Sequence, residues 1–157
     1  LKKEEGQQLA MSNIPIIIMA AGISSRMKES PNNSKISEDI LTQSNQRVKG
    51  FIQVSDNKEP FIYYIIKNCI IAGIKDFYFV VGKNSIKFQD YLKNLGTKLS
   101  IKTYFVVQNF YGKSKPAGTS DAIYQAMNKY KSLQNERFIV CNSDNIYSAK
   151  VIKILIN

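Results

Sequence analysis

Residues 14–27 read IPIIIMAAGISSRM, and this stretch decides the fold class. Residues 14–20 are a short apolar run rich in β-branched side chains that gives way to glycine, the pattern of a strand buried on both faces of a parallel sheet. The segment that follows, AAGISSRM over residues 20–27, sets small residues where a backbone can approach a ligand closely and present consecutive N–H groups to phosphate oxygens. Gly22 permits a tight turn, Ser24 and Ser25 add hydroxyl donors, and the planar guanidinium of Arg26 suits bidentate contact with phosphate. The plainer reading is a glycine turn with a surface arginine. Placement directly after a buried strand favours the phosphate-binding reading, although the loop is neither Gly-x-Gly-x-x-Gly nor Gly-x-x-x-x-Gly-Lys-Ser/Thr.

Outward from this strand, helical and strand patterns alternate. Residues 28–47 are polar, lack a sustained apolar face and carry a Pro31-Asn32-Asn33 turn signal, so they read as an exposed loop or short-helix insertion long enough to act as a lid. Residues 61–72 follow Pro60 with a broad apolar face and stop at Gly73, the signature of a helix. Residues 76–81 (DFYFVV) predict a second buried strand ending at Gly82, 85–95 a helix closed by Gly96, and 99–107 a third strand. Helical spacing returns over 119–130 through Ile123, Ala126, Met127 and Tyr130, a fourth strand follows at 137–141, and a last helix begins near Val151. The expected architecture is α/β: a Rossmann-like three-layer α/β/α sandwich with a mostly parallel central sheet, whose ligands bind outside the carboxyl ends of the strands. Phe77, Tyr78 and Phe79 on the second strand, and Tyr63 and Tyr64 on the first helix, belong in or near the core rather than on a base-stacking platform.

The composition narrows the chemistry. At 157 residues, 17.8 kDa and 44% hydrophobic content, the chain has room for one domain, expected over residues 12–157 after a disordered leader at 1–11. Its apolar runs fall far short of the roughly 20 residues a membrane-spanning helix needs. The net charge of +10 favours a phosphate-bearing partner, but the lysines are scattered without a basic run or a zinc-finger or RNA-recognition signature, which favours a small molecule over nucleic acid. Histidine is absent, which excludes Ser-His or Cys-His nucleophilic catalysis and leaves carboxylates, lysines, arginine, amides and a metal. Cys69 and Cys141 lack metal-ligand spacing and fit buried, reduced thiols of a cytoplasmic protein.

Two further segments follow predicted strands. Gln108 stands at the end of the third, ahead of PAGTSDAI at 116–123. A glutamine amide pairs a pyrimidine edge with one donor and one acceptor, and Gly118 leaves its backbone free to complete the pairing. Taken alone, Gly-Thr-Ser-Asp is a helix N-terminus, with Asp121 set favourably against the helix dipole and close enough to support the site. CNSDNIYS at 141–148 follows the fourth strand, so Asp144, in itself an ordinary turn former, lands at the edge where phosphates would lie.

The order and placement of these strings resemble the nucleotidyltransferases that activate sugar phosphates and alcohol phosphates, whose signature loop runs Ala-Ala-Gly, a variable residue, a small residue, Ser, Arg, Met. The resemblance covers residues 14–148. It implies that Ala20, Ala21 and Gly22 approach base and sugar while Ser24, Ser25 and Arg26 face the triphosphate. It implies that Lys49, in KGFIQV, neutralises charge during transfer, with Gly50 where the family usually has proline and Lys28 and Lys35 as rival candidates. Gln108 and Gly118 would read the base, Thr119 would support the turn, and Asp144 would hold Mg²⁺, with Asn142 and Asn145 around it. The implied partners are a nucleoside triphosphate, with UTP, dTTP or CTP favoured over purines, and a phosphorylated sugar or alcohol. Arg26 and Lys49 would be the catalytic residues. The family continues past the point matching Asn157 with strands that carry the acceptor site and a second aspartate, so the chain is expected to be incomplete at its C-terminus. A nucleotide sensor without catalysis is one rival class. A glycosyltransferase is another, disfavoured because Asp144-Asn145-Ile146 lacks the second carboxylate of Asp-x-Asp.

Overall fold

Residues 14–22, 49–53 and 59–157 are described by a computed structural model; the leader at 1–11 and the insertion at 28–47 lie outside the described residues. Four strands, β1 (Ile16–Ala20), β2 (Asp76–Val81), β3 (Lys102–Val107) and β4 (Ile139–Asn142), form one sheet in the order β3-β2-β1-β4. Every pairing is parallel, with Ile18 opposite Phe79 on one side and Cys141 on the other. The helices are α1 (Phe61–Ile71), α2 (Ile86–Leu99), α3 (Thr119–Lys129) and α4 (Ala149–Ile156).

The period-two alternation of strand side chains divides the core into two layers. Ile16, Ile18, Ala20, Phe77, Phe79, Val81 and Cys141 point to one face and pack with Ile62, Ile65, Ile66 and Cys69 of α1, Phe88, Leu92 and Leu95 of α2, and Ile152 of α4. Ile17, Ala21, Tyr78, Val80 and Val106 point to the other and meet Ala122 and Ala126 of α3, with Leu133 beside them. A right-handed crossover puts its helix on one face when the chain moves one way along a sheet and on the opposite face when it moves back. The steps β1→β2→β3 run outward on the face of α1 and α2, and the return to β4 uses α3 on the other face. The three-layer α/β/α architecture with a parallel sheet is thus the one expected from the sequence.

Local differences from the sequence-based expectations have physical causes. The first strand begins at Ile16 rather than Ile14, because Pro15 has no N–H for the ladder, though its carbonyl accepts from Ile139 N at 3.0 Å. The helix expected to close at Gly96 runs on to Leu99, and Ser100 ends it with a left-handed φ of 53°. Gly96 instead answers to packing: a Cβ there would sit 2.8 Å from Thr103 Cγ2 on β3. Gly73, by contrast, does follow α1 with a φ of +100°. Among the described residues no helix is long and apolar enough to cross a membrane.

Candidate functional site

The chain leaves β1 for β2 over one face of the sheet and returns from β3 to β4 over the other, so the neighbours β1 and β4 form the switch point at whose carboxyl edge such sheets leave a crevice. The ladder continues one residue beyond β4, with Ser143 N donating to Met19 O at 3.1 Å. This bond makes the Ala20-Ala21-Gly22 turn and the Ser143-Asp144 turn leave the sheet side by side. Ala20 and Ala21 are buried; Gly22 is exposed, and a Cβ built on it would meet nothing within 4 Å. Asp144 is exposed at the rim, and Asn142 is exposed at the end of β4. Ser24, Ser25 and Arg26 lie outside the described residues.

A short 3-10 turn, Lys49–Phe51, forms the third wall. Its Gly50 is buried against Ser143: an added Cβ would lie 3.0 Å from the Ser143 carbonyl oxygen and 3.2 Å from its Cβ. Phe51 anchors the turn from the other side, with ring centroids 5.4 Å from Phe88 and 5.2 Å from Tyr91 on α2. Gly50, the chain neighbour of Lys49, is thereby held beside Ser143, the residue that precedes Asp144. The close approach leaves little room for a side chain at position 50.

The second part of the site is the corner between β3 and α3. Gln108 N donates to Val81 O at 2.8 Å, so Gln108 continues the sheet and is only 2% exposed. Its side-chain Nε2 donates to Asp121 Oδ2 at 2.8 Å. Asp121, in the first turn of α3, also accepts from Gln125 Nε2 at 2.8 Å and from the Tyr111 hydroxyl at 3.2 Å. Gln125 in turn clamps the backbone of Asn109, accepting from its N–H at 2.7 Å and donating to its carbonyl at 3.0 Å. Gly118 precedes the helix at a φ of +117°, a conformation that favours glycine, and Thr119 is the first helical residue. Reasoning from sequence placed Gln108, Gly118, Thr119 and Asp121 here but missed Tyr111 and Gln125. The four-residue spacing of Asp121 and Gln125 on a predicted helix was the available signal.

The segment after β4 is fastened to α1 by Asn68 Nδ2, which donates to the Tyr147 carbonyl at 2.9 Å, and Asn145 Nδ2 reaches the Tyr147 hydroxyl at 3.5 Å. Ser148 caps α4, its Oγ accepting from Val151 N at 3.3 Å. Among the described residues no group of three or more His, Cys, Asp or Glu side chains is arranged to hold a metal by itself. Asp144 is thus an exposed carboxylate at the carboxyl edge of the sheet. Burial pushes the thiols of Cys69 and Cys141 up from 9.0 to about 12, so neither is a nucleophile near neutral pH.

Residues 17–157 match the family model described as nucleotidyl transferase. No curated protein sequence gives a significant match. Among solved structures of similar fold is UDP-glucose pyrophosphorylase complexed with UDP-glucose, which aligns over 91% of this chain and 52% of its own at 20% identity with a TM-score of 0.61. The chain spans about half the length of that protein.

Proposed function

The chain belongs to the nucleotidyl transferase family, and we propose that it forms the nucleotide-binding part of an enzyme that transfers a nucleoside monophosphate from a nucleoside triphosphate to a phosphorylated sugar or alcohol. The observation that carries this reading is the bond from Ser143 N to Met19 O, which sets the Ala20–Gly22 turn and Asp144 on neighbouring strand ends of one crevice. Backbone N–H groups of the turn, with Ser24, Ser25 and Arg26, would take the phosphates; Lys49 would neutralise charge beside them. Gln108 would pair with the base, with Gly118 and Thr119 at the adjoining helix start, and UTP, dTTP or CTP is the favoured donor.

In the reaction an ionised phosphomonoester oxygen attacks the α-phosphorus in line. The new O–P bond forms as the bond from the α-phosphorus to the bridging oxygen breaks, and pyrophosphate leaves. No general base is needed, so a histidine-free site suffices and positioning with charge neutralisation supplies the acceleration. An exposed carboxylate at the strand edge fits Mg²⁺, which takes one or two protein carboxylates and completes its shell with substrate oxygens and water. Asp144 would hold the ion, with Asn142 and Asn145 nearby, and the bound cation would neutralise charge on the phosphates. That UDP-glucose pyrophosphorylase of the same fold was solved with a nucleotide sugar supports a nucleotide-sugar or related diphosphate product.

The test is a thermal-shift panel of nucleoside triphosphates with Mg²⁺, followed by pyrophosphate release on addition of sugar or alcohol phosphates. The parent should be stabilised by about 2–3 kcal/mol at triphosphate concentrations near a hundredfold above Kd. Asp144→Ala and Arg26→Ala should each abolish most of that gain. A parent that is not stabilised, or variants that respond as the parent does, would overturn the site; saturable binding without pyrophosphate release from any acceptor would favour a sensor over an enzyme.

A further inference from the structure

We infer that Asp121 is a specificity-determining positioning residue: its carboxylate fixes the sense of the Gln108 amide and so separates keto bases from amino bases. The inference rests on the proposed role of Gln108 as base reader. An amide side chain presents an acceptor and a donor that differ only by a half-turn, and a buried glutamine without a strict partner is free to present either order. Gln108 has a strict partner. A carboxylate only accepts, so the atom 2.8 Å from Asp121 Oδ2 must be Nε2, and Oε1 is held at the other end of the amide.

The lock is itself braced. The same Oδ2 takes Gln125 Nε2 at 2.8 Å, and Oδ1 takes the Tyr111 hydroxyl at 3.2 Å, so the carboxylate is held from two further directions. With Gln108 only 2% exposed, its amide has no bulk water to compensate a flip.

The chemical consequence follows from the order of groups on each base edge. Uracil and thymine offer an acceptor at position 4 and an N–H at position 3; cytosine offers an amino group at position 4 and an acceptor at position 3. An amide spanning these positions must have opposite senses for the two. Guanine shares the uracil order over positions 6 and 1, and adenine shares that of cytosine. A sense-locked glutamine therefore discriminates keto from amino bases, and a glutamine free to flip does not.

The experiment compares Kd values of Mg-UTP and Mg-CTP by titration calorimetry for the parent, Asp121→Asn, Gln108→Ala and Gln125→Ala, with inorganic tripolyphosphate as a base-free probe. The parent should separate the two nucleotides by about tenfold, within the range a paired amide supplies. Asp121→Asn, whose amide can either accept or donate, should bring the ratio close to one while leaving tripolyphosphate binding unchanged. Gln125→Ala retains the carboxylate and should weaken both nucleotides alike, as loss of a merely structural brace would. A ratio near the parent's in Asp121→Asn, where Gln108→Ala loses it, overturns the inference alone. A parent that does not separate the two nucleotides overturns it whether or not any variant folds. A ratio that survives Gln108→Ala overturns instead the base-reading role on which the inference rests.

Discussion

At the β3–α3 corner, Gln108, Tyr111, Asp121 and Gln125 bond to one another and to the backbone of Asn109. The β1–β4 crevice is built from the opposite material: Ala20, Ala21, Gly22, Gly50 and Ser143, residues with almost no side chain to offer. Both lie at the carboxyl edge of one sheet. The contrast suits the two kinds of recognition proposed for these regions. Reading a base edge needs donors and acceptors whose orientation is settled before the ligand arrives, which calls for cross-bonded side chains. Wrapping phosphates needs exposed backbone N–H groups, which calls for side chains to be out of the way.

The largest expected effect comes from filling the crevice floor. In Gly50→Val the new Cβ would stand 3.0 Å from the Ser143 carbonyl oxygen, a backbone atom held in turn by the Ser143–Met19 bond. Relieving the contact requires a shift of the turn or of Ser143, the residue before Asp144. Denaturant unfolding should show a loss of about 1–3 kcal/mol, and the nucleotide-dependent thermal shift should vanish. A variant as stable as the parent would mean that the turn does not close the crevice, and the contrast between an empty floor and a bonded corner would break.

How much of this was legible in the sequence differs between the two regions. β2 was read to the residue, because DFYFVV is continuous, apolar and ended by glycine. Gln108 and the start of α3 were found because each follows a strand and carries its own chemistry. Gly96 was misread as a helix stop, since a glycine required by contact with Thr103 looks the same in one dimension as one required by a turn. The close approach of Gly50 to Ser143, 93 positions away, leaves no mark in the sequence. The Asp121–Gln125 brace sat at helical spacing, but nothing in a sequence shows that both side chains point at the residues following β3.

A smaller effect should follow from loosening the corner. Gln125→Ala removes the clamp on both backbone groups of Asn109 and one of the donors to Asp121. Asn109 is exposed, so water replaces part of what is lost, and a destabilisation of about 1 kcal/mol is expected. Equilibrium unfolding measures it directly. A loss several times larger would show the corner to be a keystone of the fold rather than a local device.

The least visible prediction concerns the layer beneath the crevice. Cys141 lies on β4 two residues before Ser143 and packs in the same core layer as Cys69 of α1. If the crevice is open only above the sheet, neither thiol meets solvent. Burial raises both from 9.0 to about 12, which leaves about one part in ten thousand as thiolate at pH 8. A thiol-reactive chromophore at pH 8 should therefore label neither cysteine until denaturant unfolds the chain. The sign of the linkage adds a second readout: the folded state holds these protons more tightly than the unfolded state. Their contribution to stability is complete below about pH 9 and is lost progressively as pH rises toward 12. Rapid labelling of Cys141 in the native protein, with Cys69 protected, would show that the opening continues through β4, and the empty floor would then be a gap in the core rather than a surface shaped for phosphates.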